Sequence, residues 1–525
     1  MKKELYDWQE ECLARWLANN GQGIVQAVTG SGKTLLALTA SDLMEKKLKQ
    51  DLRIKIIVPT NSLMQQWKQA VKGFLSDTHK ESGLPVRLQK EPGLRGGGSQ
   101  SDPDHKYMIY VINSARYELA RQILAELKQG KAVLLIADEC HHYTSAQNQL
   151  IFEFIPYIEK YRDRFFSLGL SATLPAGEPQ RYLTSVLGRK IYDYGMEEAS
   201  AKATICPYNI YHISLSFSNA ERWEYEELSE RMAYLFHNLL KAFPVLGKFS
   251  QGKRYEFLQS LSGNKNRKIA ETAAYYLQLS YKRKSLVCLA SARISCASDL
   301  IRQLDPNEKI LIFSERISQA DELFQLLQES YAEKVGRYHS KMGKQANKNV
   351  LERFRTGQVR ILIACKAIDE GLDVPDASIG IVMSGTSVKR QRIQRLGRII
   401  RKNNSNKRAA MYYLHIEETS EDSCFLPDIN KHHLTELQYD DKNRAFLNPD
   451  YDARAALLLD NMKNTHADRE LLSEAERCLR SGSIRSDWLL EKSAIEEQIQ
   501  KARYISDKNY WVCMKKLSQI SIHEI

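Results

Sequence analysis

Short apolar runs alternate with amphipathic stretches over most of this chain. The runs at 23–28, 53–60, 107–113, 165–170, 360–364 and 377–383, and those that open 132–142 and 309–316, have the length and composition of buried strands. Between them apolar positions recur with the helical period, at 5–17, 35–44, 63–74, 317–330 and 347–354, with a further helix opening at 391. Strand-then-helix repetition predicts α/β architecture built on parallel sheets. The Gly-rich stretch around 93–102 breaks the pattern and is expected to be a long irregular loop. The alternation disappears over 216–305. Long amphipathic stretches at 222–242 and 266–280 and the basic cluster Lys282, Arg283, Lys284 stand there instead, predicting a helical insertion. Helical stretches at 451–462, 468–480 and 487–504 mark the tail. The expected division is a first α/β unit at 1–215, the insertion at 216–305, a second α/β unit at 306–416 and a helical C-terminal part at 417–525.

With 525 residues and 43% hydrophobic content, the chain can build several cores. No stretch approaches the ~18 uninterrupted apolar residues of a membrane span, and residues 1–6 carry no apolar signal segment. The nine cysteines include no Cys-x-x-Cys, which argues against a zinc knuckle or a disulfide frame. A cytoplasmic, reducing setting is the expectation. The net charge of +12 favours a polyanionic partner, and because acidic residues outnumber basic ones in the last hundred or so positions, the surplus lies before about residue 420.

The chemistry concentrates at strand ends. Residues 27–34, with Thr29, Gly30, Ser31, Gly32, Lys33 and Thr34, form a phosphate loop that leads from the strand at 23–28 into the helix at 35–44. Gly30 and Gly32 let backbone N–H groups curl around phosphates, and the following helix aims the positive end of its dipole at them. Lys33 can reach the β- and γ-phosphates of ATP, and Thr34 can ligate Mg²⁺. The strand in 132–142 ends in Asp138, Glu139, Cys140 and His141. Asp138 would hold Mg²⁺ through water, Glu139 would act as general base, and His141 could sense the γ-phosphate. Ser171 and Thr173, after the strand at 165–170, could hydrogen-bond the Glu139 loop and pass nucleotide state onward. Gln9, with an aromatic neighbour, is a candidate for reading adenine. Thr60, Asn61 and Ser114 stand where strands hand over to helices, at the edge where ligands gather in open α/β sheets. Arg398 and Arg401 share one helix face, a pair of guanidinium forks suited to a triphosphate presented across a cleft. Gly397 beside them would permit close approach.

Taken together, Asp138-Glu-Cys-His141, Ser171-Ala-Thr173 and Gln394-Arg-Leu-Gly-Arg-Ile-Ile-Arg401 resemble the ordered motifs of superfamily 2 helicases of the Asp-Glu-x-His type. The stretches 369–378 and 393–402 resemble XPB-type DNA helicases and the related motors of type III restriction enzymes. The likeness covers about 5–215 and 306–416. It implies that the two α/β units are tandem RecA-like, P-loop NTPase domains; the helical insertion between them and the helical C-terminal extension rest on the residue pattern. It also implies ATP and Mg²⁺ as cofactors, Gln394 with Arg398 and Arg401 at the nucleotide, and movement along DNA, 3′ to 5′. By the same likeness Thr60, Asn61, Ser114, His339, Ser340 and Lys366 face nucleic-acid phosphates. Tyr6 stands where these relatives often carry Arg, and Cys365 where a hydroxyl residue is usual. Two alternatives share the motor: an RNA helicase, and an ATP-switched nucleic-acid clamp that recruits a nuclease or other effector through the C-terminal region. No nuclease constellation is visible, and His432 and His433 lack ligand-forming neighbours.

Overall fold

The computed structural model describes residues 4–448 except 49, 83–90, 366–376, 385–388, 401–408, 420 and 422–433, and within 449–525 the helix Lys492–Lys501 and scattered other positions. Two eight-stranded sheets organise it. The first contains β1 (Gln22–Ala27), β2 (Leu52–Val58), β3 (Gly93–Gly96), β4 (Ser99–Gln100), β5 (Tyr107–Val111), β6 (Ala132–Ala137), β7 (Phe165–Ser171) and β8 (Lys190–Tyr194). Its order is β4-β3-β5-β2-β6-β7-β1-β8, parallel except for the β3–β4 hairpin. β2, β5, β6 and β7 are covered by helices on both faces and carry almost only buried side chains, which explains their unbroken apolar runs.

The second sheet contains β9 (Tyr208–Leu215), β10 (Ile310–Ser314), β11 (Val335–Tyr338), β12 (Ile361–Cys365), β13 (Ile379–Val382), β14 (Ala409–Ile416), β15 (Leu434–Asp440) and β16 (Ala445–Leu447), in the order β11-β12-β10-β13-β14-β9-β15-β16. Alternation along β10 is visible in the packing. Leu311 and Phe313 join the core continuous with the first sheet, while Ile310 and Ile312 face a separate core under the helices Ala292–Gln303 and Ile317–Tyr331. Each such apolar side chain contributes about 1.5–3 kcal/mol on burial.

Three boundaries differ from the sequence expectation. β9 pairs along its whole length with β14, so 208–215 belongs to the second sheet and not to the first unit. The helix Ala292–Gln303, expected in the insertion, packs into the second core, which narrows the insertion proper to the helices Asn219–Ala242, Gln251–Leu261 and Arg267–Leu289 with a small core of their own. The C-terminal part is not wholly helical: β15 adds to β9 in parallel and turns back through β16. Asp299 clamps this hairpin, accepting from Tyr439 Oη at 2.6 Å and from Arg444 Nε and Nη2 at 2.8 and 2.7 Å. Two smaller differences concern the first sheet. The Gly-rich stretch forms the β3–β4 hairpin, and 190–194 adds an edge strand beside β1. Among the described residues, no helix is long and apolar enough to cross a membrane.

Two imidazoles neighbour each other on the paired strands, His212 on β9 and His415 on β14. Burial holds His212 down at a pKa of about 3, helped by His415 and Arg392; burial and Arg293 hold His415 at about 4. The unfolded value is about 6.5. Protons therefore bind the unfolded chain first, and the stabilisation is complete above about 6.5 and is lost as pH falls towards the folded values. Lowering the pH from 7 to 5 is expected to cost roughly 2 kcal/mol per imidazole. Denaturant melts of wild type and of His212→Gln should show the variant losing less between these pH values; equal losses would assign the acid sensitivity to other groups.

Candidate active site

The functional loops converge because β1, β6 and β7 lie close together in one parallel sheet and end on the same edge. The loop after β1 turns through Gly30 and Gly32 at φ +90° and +93°, a region that only glycine enters freely. It then enters the helix Lys33–Leu48, which Thr34 helps to open. Lys33 Nζ donates to the loop carbonyls of Ala27 at 2.9 Å and Val28 at 3.4 Å, while Ser31 Oγ closes the turn onto Val28 O at 2.7 Å. The hydroxyl of Thr29 is buried and has no hydrogen-bond partner among the described residues. Gln9 is wholly buried. Its amide accepts from Tyr6 N at 2.9 Å and donates to Gly32 O at 3.0 Å, tying the helix Asp7–Ala18 to the phosphate loop. Trp8 is stacked on Tyr194, so Tyr6 is the exposed aromatic beside Gln9.

Asp138 and Glu139 follow β6. Asp138 is 7% exposed, and burial raises its pKa against the opposing Trp67 hydrogen bond, the Lys33 charge and the Glu139 amide. Trp67 Nε1 donates to Asp138 Oδ2 at 2.8 Å and Glu139 N to Oδ1 at 3.0 Å. Glu139 adopts φ +47°, a left-handed conformation unusual for a side chain of this size. Tyr143 Oη holds the turn by donating towards Asp138 O at 2.7 Å and Ile57 O at 3.0 Å. His141 Nδ1 lies 2.8 Å from Ser171 Oγ and 3.4 Å from Glu139 Oε2, and Ser171 Oγ in turn donates to Thr173 O at 2.6 Å. The expected link between the Glu139 turn and Ser171–Thr173 therefore runs through the histidine.

From the second unit comes the helix Lys389–Ile399. Its Gly397 meets Thr29 so closely that an added Cβ would overlap the Thr29 Cβ and lie 3.0 Å from both Cγ2 and Oγ1. Arg398 is the next residue and is buried, as is Gln394, whose Oε1 has no hydrogen-bond partner among the described residues. Arg401, the second arginine of the expected pair, lies outside the described residues, as does Lys366. Positive-φ glycines, an unpartnered buried hydroxyl, a lysine resting on the loop's own carbonyls and a carboxylate at the sheet edge form a donor and acceptor set that fits a nucleoside triphosphate with a divalent cation.

Thr60 follows β2 and Asn61 opens the next helix, Asn61–Ser82, while Ser114 lies in the first turn of the helix Ile112–Lys128 after β5. The β3–β4 hairpin gathers them. A Cβ on Gly97 would lie 2.5 Å from Asn61 Oδ1, and one on Gly96 3.2 Å from Ser114 Oγ. His339 and Ser340 follow β11 in the second unit. His339 Nε2 lies 3.3 Å from Asp321, and Ser340 is exposed. Sequence reasoning missed Trp67, which reads as one more apolar position of an amphipathic helix, and the hairpin, whose consecutive glycines looked only like loop.

A family model described as "Type III restriction enzyme, res subunit" matches residues 2–176, and one described as "Helicase conserved C-terminal domain" matches 292–403. The DNA 3′-5′ translocase XPB2 of Sulfurisphaera tokodaii is 29% identical over 402 residues, covering 76% of this chain and 79% of that protein.

Over these two stretches the chain is similar to helicases related to the XPB proteins and to restriction-enzyme motor subunits.

A more distant relative is the DNA 3′-5′ helicase XPB of Mycobacterium tuberculosis, 21% identical over 76% of this chain and 58% of its own length. Among solved structures, S. cerevisiae Dbp5 bound to RNA and ADP BeF3 superposes with a TM-score of 0.51 at 13% identity, over 84% of this chain and 92% of that one. The helicase MrfA bound to DNA and AMPPNP gives 0.51 at 11%, over 79% and 49%. Both likenesses are of fold, the tandem arrangement of two parallel-sheet units.

Proposed function

We propose that this chain is an ATP-dependent DNA helicase or translocase that hydrolyses ATP between its two RecA-like units and moves 3′ to 5′. The observation that carries the reading is the seam itself. Gly397, with Arg398 beside it, is packed against the phosphate loop that Lys33 closes. The XPB relatives supply the nucleic acid and the direction.

In this reading the loop amides and Lys33 bind the β- and γ-phosphates. Glu139 orients the attacking water and takes its proton, and His141 holds the turn against Ser171. Arg398, with Arg401, meets the γ-phosphate from across the seam and stabilises the charge that develops there. Thr34 and Asp138 would hold Mg²⁺, which neutralises charge between the phosphates. Thr60, Asn61 and Ser114 on one unit and His339, Ser340 and Lys366 on the other grip consecutive stretches of backbone, so closing and opening the seam moves the strand.

Strand displacement on tailed duplexes of both polarities, with DNA and RNA side by side, tests this. Unwinding of DNA carrying a 3′ tail is expected. ATPase activity indifferent to DNA would overturn the reading, and preference for RNA would reassign the substrate. Within the site, Trp67→Phe keeps an aromatic side chain but removes the donor to Asp138. A hydrogen bond to a charged acceptor contributes about 1.5 kcal/mol at the low end, so kcat should fall about tenfold. Steady-state ATPase assays decide it, and unchanged turnover would make Trp67 a packing residue only.

A further inference from the structure

We propose that Arg116 and Asn148 are positioning residues that transmit DNA binding to the hydrolytic turn. The inference rests on the proposed function, since it needs DNA at the edge of the first sheet.

The helix Ile112–Lys128 starts at the carboxyl end of β5, with Ser114 in its first turn beside the glycine hairpin. Two residues on, Arg116 turns inward. Its Nε–H donates to Asn148 Oδ1 at 2.7 Å, and Asn148 Nδ2 donates to His142 O at 2.7 Å. His142 N donates to Glu139 O at 3.0 Å. Three hydrogen bonds thus join the helix that begins at the DNA edge to the backbone of the proposed base.

The contacts suit transmission. Asn148 is 9% exposed, and both ends of its amide are used, so it cannot follow Arg116 without moving the His142 carbonyl. Among the described residues Arg116 forms no ion pair; its charge-assisted bond goes to a neutral side chain that has no other anchor towards the helix. The turn it reaches is one that can respond, because Glu139 is held at φ +47° only by its surroundings. A backbone phosphate bound at Ser114 loads the N-terminus of a seventeen-residue helix, and the helix passes the load to the turn as a rigid element.

ATPase assays on the full chain, with and without saturating single-stranded DNA, together with DNA-binding isotherms, test the relay. Arg116→Met should keep DNA-free turnover and DNA affinity within about threefold of wild type while DNA stimulation falls about tenfold, in the range of ordinary coupling energies. Arg116→Lys, which retains a donor, should recover part of it. Asn148→Asp keeps the Arg116 contact, loses the donor to His142 O, and should be equally uncoupled; combining it with Arg116→Met should cost no more than either alone. Full stimulation in Arg116→Met or in Asn148→Asp overturns the relay. So does a tenfold loss of DNA affinity in Arg116→Met, which would make the residue a backbone contact, or an equal fall of turnover with and without DNA, which would make it architectural. A wild type that ignores DNA overturns the proposed function and the relay with it, whereas a responsive wild type beside an equally responsive Arg116→Met overturns the relay alone.

Discussion

Glu139→Gln should lower the rate of ATP hydrolysis by about a thousandfold, the middle of the range for general-base catalysis, with nucleotide and DNA binding retained. The substitution is nearly isosteric, so the left-handed backbone at φ +47° and the hydrogen bonds of the turn can persist. The phosphate-binding side is also untouched, because Lys33, Ser31 and Gln9 reach the loop independently of Glu139. What disappears is the group that can accept a proton from water. A carboxylate in this position has a defined local environment, with Glu139 Oε2 3.4 Å from His141 Nδ1 and that nitrogen 2.8 Å from Ser171 Oγ. An amide can orient a water there but cannot deprotonate it. Single-turnover hydrolysis with pre-bound ATP is the decisive measurement, because it separates the chemical step from binding and release. A loss under tenfold would mean that another group acts as base. The same variant separates a motor from a clamp: a motor slows in step with hydrolysis, while a clamp that needs only the ATP-bound state keeps its biological effect.

The parts of this site that were legible in the sequence are those whose chemistry dictates residue type at a fixed spacing. A phosphate loop needs glycines at positive φ followed by lysine and a hydroxyl, and Gly30, Gly32, Lys33 and Thr34 occupy those positions on the strand-to-helix turn. A metal carboxylate and a base need adjacent acids at a strand end, and Asp138 and Glu139 follow β6 directly. Gly397 was legible for the same reason: a residue without a side chain beside an arginine marks a close approach, and the phosphate loop is what it approaches. Sheet membership was not legible. The alternation of Tyr208–Leu215 suits either sheet, and only its pairing with β14, almost two hundred residues away, decides the matter. β15 carries polar residues at Thr435, Glu436 and Gln438 because it lies near the sheet edge, so its apolar pattern is too weak to announce a strand. Trp67 and Arg116 escaped notice because their partners are set by tertiary packing and not by spacing along the chain.

The second large effect is expected at Gly397. Replacing glycine by alanine inside a helix ordinarily stabilises it by about 1 kcal/mol, so Gly397→Ala should not weaken the helix Lys389–Ile399 itself. Its cost lies at the seam. The new methyl would overlap the Cβ of Thr29, an atom fixed to the phosphate-loop backbone, and no rotamer change can move it aside. The helix and the loop must separate, and Arg398 retreats with the helix. Because transition-state charge is stabilised only by groups already in place, a displacement of about 1 Å can lower kcat about a hundredfold. Gly397→Val should be worse. ATP affinity should change little, since the loop amides and Lys33 stay on the first unit, and thermal stability should be preserved. The expected signature is therefore a fall in kcat at nearly constant nucleotide binding, the opposite of what damage to the phosphate loop would give. Turnover in Gly397→Val within threefold of wild type would mean that the contact between Gly397 and Thr29 is not part of the arrangement that hydrolyses ATP, and the two units would have to meet differently during catalysis.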